Sequence, residues 1–96
     1  MDKFYYVYVL ISLKDKKHYA GYTQNLELRF EQHQKGEVES TKYRRPLALI
    51  YFEGCLNKED TIKREKYFKT HYGKMYLKRR LANSNKASCS NLISQG

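Results

Sequence analysis

The segment over residues 4–11 is an unbroken run of aromatic and branched aliphatic side chains, and it constrains the fold more than any other stretch. A run of this length without polar alternation is typical of a central β-strand that is covered on both faces. The polar turn at residues 14–17 and the short strand predicted at residues 18–22 complete an antiparallel hairpin with it. Residues 47–52 form a further apolar strand. The sequence therefore predicts a small three-stranded antiparallel sheet.

Helix-capping residues and glycines predict helices between and after these strands. Thr23 or Asn25 is placed to cap a first helix, which Gly36 ends. A second helix is expected over residues 57–73, where a glycine ends it, and a short third helix over residues 74–82. The predicted fold class is α/β, with the three-stranded antiparallel sheet flanked by helices.

The chain is long enough for one small domain, which we place at residues 1–82. Residues 83–96 are rich in Ser, Asn and Gln and predict a disordered polar tail. Lys and Arg number 19 against 10 Asp and Glu, so the formal net charge is +9 and polyanions are attracted. Nucleic acid is the commonest such partner, and a merely solvated basic surface is the alternative.

Two classes of protein are excluded by the same inspection. No apolar run approaches the roughly 20 residues that span a bilayer, and no long apolar segment follows Met1, so we expect a cytoplasmic protein without membrane association. Cys55 and Cys89 are too few and too far apart for a zinc cluster and are expected to be free thiols.

Two of the predicted helices carry ionisable groups on the faces that should contact the sheet. At about 100° per residue, Arg29 and His33 share one stripe with Leu26 and Phe30. Glu65 likewise lies inside the apolar arc of the second helix. Since such groups are rarely buried without a partner, the pattern suggests a shared cleft. A carboxylate opposite a guanidinium and phenols suits a phosphate and a divalent metal.

Each of these groups also has a plainer explanation. Arg29 at the stripe edge is able to extend its guanidinium to solvent, and His33 fits a satisfied core histidine. Glu65 is one turn from Lys69 and suits an exposed ion pair. An ion pair accounts for the charge of Glu65 but not for its place in the apolar arc.

The triplets Tyr6-Val7-Tyr8 and Tyr19-Ala20-Gly21, followed by Arg29, His33 and Glu65, resemble the pattern of the GIY-YIG nuclease superfamily. The resemblance extends over about residues 4 to 80. It is closest to the small stand-alone bacterial members, which are related to the incision module of nucleotide excision repair. Ser40-Thr41-Lys42 and Arg64-Glu65 also have counterparts there. The first triplet has Tyr where the family has Gly, and the second has Ala where it has Ile.

The resemblance implies a role for each residue of the pattern. Tyr8 and Tyr19 line the site and position or deprotonate the attacking water, with His33 as the runner-up base. Arg29 stabilises negative charge on the phosphate. Glu65 is the sole protein ligand of Mg²⁺, for which Mn²⁺ is a substitute. A single carboxylate is consistent with the reluctance of Mg²⁺ to give up its waters.

A further set of residues is expected to hold the nucleic acid. Phosphate contacts of this kind give affinity and register without sequence specificity, and for each cation a solvated surface is the alternative. Because no base-reading module fits in the chain, selectivity should be for shape. The residues are Gly21, Tyr22, Lys42, Arg44, Arg45, Lys78, Arg79 and Arg80.

The functional hypothesis is a metal-dependent endonuclease that hydrolyses DNA phosphodiester bonds without a covalent intermediate and selects structure rather than sequence. The alternative is a nucleic-acid-binding module with weak or no catalysis. RNA stays open beside DNA as the substrate, as do a protein partner for targeting and the oligomeric state.

Overall fold

The computed structural model describes residues 3–83. Its elements, in chain order, are β1 (Tyr5–Ser12), β2 (His18–Thr23), α1 (Leu26–Gln34), a 3₁₀ turn (Lys42–Arg44), β3 (Leu47–Cys55), α2 (Lys58–Phe68) and α3 (His71–Arg80). The predicted α/β class with three antiparallel strands and three helices is confirmed. The polar tail predicted over residues 83–96 lies, apart from Asn83, outside the described residues. The chain divides into two compact units between Glu65 and Lys66.

The sheet has the order β2-β1-β3, and both pairings are antiparallel. The apolar run thus forms the central strand, and Val7, Val9 and Leu10 within it are completely buried. The third strand is longer than the predicted residues 47–52. Glu53 and the two residues after it pair with β1, because backbone pairing to a central strand outweighs the weak strand preference of Glu and Gly.

The strand register sorts the tyrosines onto faces. Tyr8 lies opposite Gly21 of β2 and Phe52 of β3, and Tyr19 lies opposite Leu10. Directly opposed residues project from the same face of a sheet, and alternate residues of a strand share a face. Tyr8 and Tyr19 therefore project from one face, which we call the phenol face.

α1 covers part of the phenol face. The Asn25 side chain accepts a hydrogen bond from the Leu28 amide, 3.1 Å away, so Asn25 rather than Thr23 is the cap. Gly36 follows the helix with φ +80°, and the Glu37 amide donates to the Gln32 carbonyl at 2.9 Å. This is a Schellman closure, in which a left-handed glycine ends the helix as predicted. The core beneath α1 contains Tyr8, Leu10, Leu47, Tyr19, Leu26, Phe30 and Leu49.

α2 begins after Asn57, whose side chain accepts a hydrogen bond from the Asp60 amide at 3.0 Å. Arg64 on this helix forms two parallel hydrogen bonds to Glu53, each 2.9 Å long. Glu53 lies opposite Val7 and so projects from the face away from the phenols. The Arg64 side chain therefore reaches the side of β3 away from the phenols, whereas the negative charge of the neighbouring Glu65 acts on Tyr8.

The second unit contains the end of α2 and all of α3. The second helix was predicted to continue to residues 71–73, but it ends at Phe68, and α3 starts at His71. Thr70 caps α3 by accepting a hydrogen bond from the Gly73 amide at 3.1 Å. A Cβ at Gly73 would overlap the Tyr67 carbonyl. The glycine therefore permits close backbone packing and does not end a helix.

None of the helices within residues 3–83 is long and apolar enough to cross a membrane.

Candidate active site

Tyr8 stands at the centre of the phenol face and is almost completely buried. Its position depends on Gly21, the residue opposite it on β2. A Cβ at Gly21 would lie 2.5 Å from the Tyr8 hydroxyl and 2.7 Å from Cζ. Gly21 is buried and leaves the space that the phenol ring occupies. Its contact with nucleic acid stays a prediction.

His33 on α1 joins this phenol to the next segment of the chain. The Tyr8 hydroxyl lies 2.8 Å from His33 Nε2, and Thr41 Oγ1 lies 2.7 Å from His33 Nδ1. His33 and Thr41 are both completely buried. The Tyr8 and His33 rings meet edge to face with their centroids 5.5 Å apart. Both imidazole nitrogens are thus engaged, which fixes the ring plane.

Burial and the nearby charges set the protonation of this pair. Burial, with a smaller contribution from the Arg29 guanidinium, lowers the pKa of His33 from 6.5 to about 4, so the imidazole is neutral at neutral pH. A neutral imidazole donates through one nitrogen and accepts through the other. Burial raises the pKa of the Tyr8 hydroxyl. Arg29 opposes that rise, whereas Tyr19 and Glu65 add to it.

Tyr19 is half-buried and therefore keeps surface that a substrate is able to touch. Its ring meets His33 edge to face at 5.3 Å, and Ser40 Oγ donates to its hydroxyl at 3.2 Å. Ser40 and Thr41, which are adjacent in sequence, thus contact Tyr19 and His33 respectively. Neither residue was predicted to act in the site. The only signal was the similarity of Ser40-Thr41-Lys42 to relatives.

Arg29 is half-buried on α1, and its Nη1 donates to Gln32 Oε1 at 3.1 Å, one turn along the helix. The guanidinium is close enough to the phenol face to lower the pKa values of both Tyr8 and His33. It brings a permanent positive charge to the site.

Glu65 is half-buried on α2, and its negative charge acts on the Tyr8 hydroxyl. The neighbouring Arg64 fixes this part of the helix through its paired hydrogen bonds to Glu53. Burial opposes ionisation of Glu53, but Arg64 and the Tyr51 hydroxyl outweigh burial and lower its pKa.

The donor set fits a divalent cation that keeps most of its waters. Within residues 3–83, His, Cys, Asp and Glu side chains do not gather in threes as a protein cage for a metal would require. One half-buried carboxylate, here that of Glu65, completed by waters and substrate oxygens is instead the arrangement that Mg²⁺ commonly uses.

The predicted nucleic-acid contacts separate into several groups. Arg44 donates to Asp15 Oδ2 and to the Lys17 carbonyl, both at 3.0 Å, and lowers the pKa of Asp15 to about 2. It therefore ties the β1–β2 turn to the 3₁₀ turn. Tyr22 lies opposite Val7 and so projects from the face away from the phenols, and its contact with nucleic acid stays a prediction.

Other predicted contacts remain accessible. Lys42 Nζ lies 5.1 Å from the centroid of the exposed Tyr43 ring, and Arg45 donates to the Lys42 carbonyl at 3.0 Å. Together with Lys14 these residues line an open cavity of about 510 Å³. In the second unit, the basic residues at the end of α3 are exposed, namely Lys78, Arg79 and Arg80.

Comparison with known proteins agrees with the geometry. Residues 4–85 match the family model described as the GIY-YIG catalytic domain. A UPF0213 protein of Pediococcus pentosaceus is 47% identical over 66 residues, which cover 68% of either chain. A UPF0213 protein of Staphylococcus saprophyticus is 38% identical over 79 residues, 81% of this chain and 94% of that protein. The UPF0213 protein YazA of Bacillus subtilis is 40% identical over 69 residues, which cover 71% of this chain and 67% of that protein. No solved structure matches the chain. The phenol–imidazole cluster with its flanking charges and these relationships together show that the chain belongs to the GIY-YIG nuclease superfamily.

Proposed function

We propose that the protein is a metal-dependent endonuclease that hydrolyses phosphodiester bonds in DNA and selects the structure of its substrate rather than the sequence. The observation that carries this proposal is the environment of the Tyr8 hydroxyl. It meets a neutral imidazole at 2.8 Å and is acted on by the opposite charges of Arg29 and Glu65. A phenol that serves only as core packing has no use for both.

Arg29 binds the phosphate that is to be cut. Its guanidinium is permanently charged and presents donors in a planar fork that matches phosphate oxygens. Charge grows on those oxygens as the transition state forms, so a fixed cation stabilises the transition state more than the bound substrate. The hydrogen bond to Gln32 holds the side chain in place before the substrate arrives.

Tyr8 and Tyr19 orient the attacking water. His33 is completely buried, so its imidazole reaches that water only through the Tyr8 hydroxyl. As the water oxygen bonds to phosphorus and the P–O bond to the leaving group breaks, Tyr8 takes a proton from the water and passes its own proton to His33 Nε2. The departing oxygen takes its proton from solvent. Because burial raises the pKa of Tyr8, the reaction uses a phenol whose proton moves as the bond forms and not a preformed phenolate.

Glu65 would hold the divalent ion, Mg²⁺ or Mn²⁺ in its place, together with waters and phosphate oxygens. When bound, such an ion supplies a Lewis acid that neutralises charge on the phosphate and the departing oxygen.

DNA binding is assigned to two groups of basic residues, one in each unit. Lys42 and Arg45 border the open cavity beside the 3₁₀ turn, and three further cations lie at the end of α3. The net charge of +9 supports steering toward a polyanion at a rate that falls with salt. Backbone contacts of this kind read shape and not sequence.

The test is cleavage of nicked, branched and single-stranded DNA by the purified chain in Mg²⁺, Mn²⁺ or chelator. We expect Glu65→Gln and Arg29→Lys each to lower the rate about 100-fold or more, as is typical when charge stabilisation of a transition state is lost. Glu59→Gln is the matched control, since Glu59 is an exposed carboxylate on the same helix.

Cleavage that persists in both variants, or in chelator, would contradict the proposal. Binding without cleavage under every metal would favour the alternative, a nucleic-acid-binding module.

A further inference from the structure

The lower part of the phenol face carries three aromatic rings that α1 leaves uncovered. Phe4, Tyr6 and Phe52 form a row in which the Phe4 and Tyr6 centroids are 6.4 Å apart and the Tyr6 and Phe52 centroids 6.1 Å apart. Phe4 is 44% and Phe52 53% exposed, and Tyr6 is half-buried. We call these three residues the aromatic row.

A glycine in β3 leaves room for the aromatic row. Gly54 lies opposite Tyr6, and a Cβ at Gly54 would be 3.2 Å from Phe4 Cδ2 and 3.6 Å from Tyr6 Cε1. The missing side chain lets Phe4 lie close over the strand. A glycine in a strand interior weakens the strand, so its presence here fits a site at which close approach matters.

The row continues directly from the active site. Tyr6 is two residues from Tyr8 on the same strand face, a separation of about 7 Å, and Phe52 lies directly opposite Tyr8. Phe4 and Tyr6 also line an open cavity of about 410 Å³ with Lys3, Gln24 and Asn25. The rings therefore have one cation and two amides at their border.

We propose that the aromatic row stacks unpaired nucleobases next to the phosphate that is cut. Base stacking on aromatic side chains tolerates any sequence, because every base has a π-face. Bases inside a duplex already stack on both sides and have no free face to offer. The substrate class is therefore DNA with an unpaired segment at the scissile bond. The position of that bond, but not the stacking itself, rests on the function proposed above.

Charge favours this occupant over a second copy of the chain. Each copy carries a net charge of +9, which opposes self-association, whereas a polyanion is attracted. The border cation Lys3 is also placed to meet a phosphate of the strand whose bases lie on the rings.

The first experiment uses the absence of tryptophan from the sequence. Phe52→Trp introduces a single indole into the row, and its fluorescence is followed while a thymidine oligonucleotide is added without metal. We expect quenching by the single strand and none by a blunt duplex of equal length. Quenching by both equally would overturn the proposal.

The second experiment compares affinities under the same metal-free conditions. We expect Phe52→Ala and Phe4→Ala each to weaken single-strand binding about fivefold or more and to leave duplex binding unchanged. An abasic nucleotide that faces the row should remove the difference between wild type and variant. Tyr72→Ala is the matched control, since Tyr72 is an aromatic residue 73% exposed on α3.

Unchanged single-strand affinity in both variants would overturn the proposal, as would a wild-type dimer that sedimentation shows to dissociate in Phe52→Ala. The outcome is separable from that of the proposed function. If the rings contribute to binding but the protein never cuts DNA, the proposed endonuclease activity is contradicted and base stacking on the aromatic row is supported. If the protein cuts DNA with metal but the rings do not contribute to binding, the endonuclease is supported and base stacking is contradicted.

Discussion

The Tyr8 hydroxyl lies 2.8 Å from His33 Nε2, and this contact links the centre of the sheet to α1 inside the core. Both groups are buried, so each one satisfies through this bond the hydrogen bond that it would otherwise make to water. The bond also fixes the two atoms between which a proton is able to move. On the other side of the imidazole, Thr41 Oγ1 completes the pairing at 2.7 Å. Tyr8, His33 and Thr41 thus form a continuous hydrogen-bonded chain, in which Thr41 holds the imidazole in place.

Thr41→Val tests the hydrogen bond between Thr41 and His33. The substitution keeps the side-chain shape and leaves His33 Nδ1 without its buried partner, which costs about 1–3 kcal/mol. We expect a lower urea midpoint and, because the imidazole loses its fixed tautomer, a lower kcat with little change in KM. Thr41→Ser keeps the hydroxyl and should restore much of both. A Ser variant as impaired as the Val variant would show that packing, not the hydrogen bond, is what matters.

Gly21→Ala tests the space beneath the phenol. The added Cβ would lie 2.5 Å from the Tyr8 hydroxyl, so the ring must move and the contact with His33 Nε2 must lengthen. Overpacking of this kind typically costs about 1–3 kcal/mol. We expect a fall in Tm together with loss of cleavage. Tyr8→Phe provides the comparison, because it removes the hydroxyl without crowding the strand. If Gly21→Ala were as stable and active as wild type, the close packing would have no role.

The elements that the sequence predicted well are those set by local signals. The central strand follows from its apolar run, and the end of α1 follows from Gly36, because only a residue tolerant of positive φ closes the helix that way. That Tyr8 and Tyr19 share one face depends on the register of the hairpin, which the sequence left open.

The elements that it missed depend on contacts between distant segments. Ser40 and Thr41 look like ordinary loop residues until the fold brings them against Tyr19 and His33. In the sequence nothing distinguishes Arg44 from a free cation, yet its guanidinium pairs with Asp15 in the hairpin turn. In the sequence, the glycine at position 73 predicts the end of a helix. In the structure, a glycine stands there because the Tyr67 carbonyl approaches its backbone closely.

The stability of the fold should depend on pH through His33. Its pKa is lowered to about 4 in the folded protein from an ordinary 6.5, so between these values the unfolded chain binds the proton more readily. Stability is therefore complete above about pH 6.5 and falls as the pH decreases toward 4, by about 3 kcal/mol in total from this group. Urea unfolding between pH 4 and 7 measures it. His33→Gln should flatten that part of the curve, and an unchanged slope in this variant would exclude His33 as the cause.

Glu53→Gln tests whether the bonds to Arg64 position Glu65. The glutamine amide has one acceptor oxygen, so it cannot accept both of the parallel 2.9 Å hydrogen bonds from Arg64. A partly buried hydrogen bond to a charged group contributes at most about 1.5–3 kcal/mol. Because Arg64 and Glu65 are adjacent on α2, a loosened Arg64 should displace the proposed metal ligand. We expect a modest fall in Tm and a raised metal concentration for half-maximal cleavage. Asp15→Asn is the control, since it breaks the other arginine–carboxylate pair, that with Arg44, at the hairpin turn. An equal shift in metal requirement in both variants would trace the effect to general destabilisation and not to the placement of Glu65.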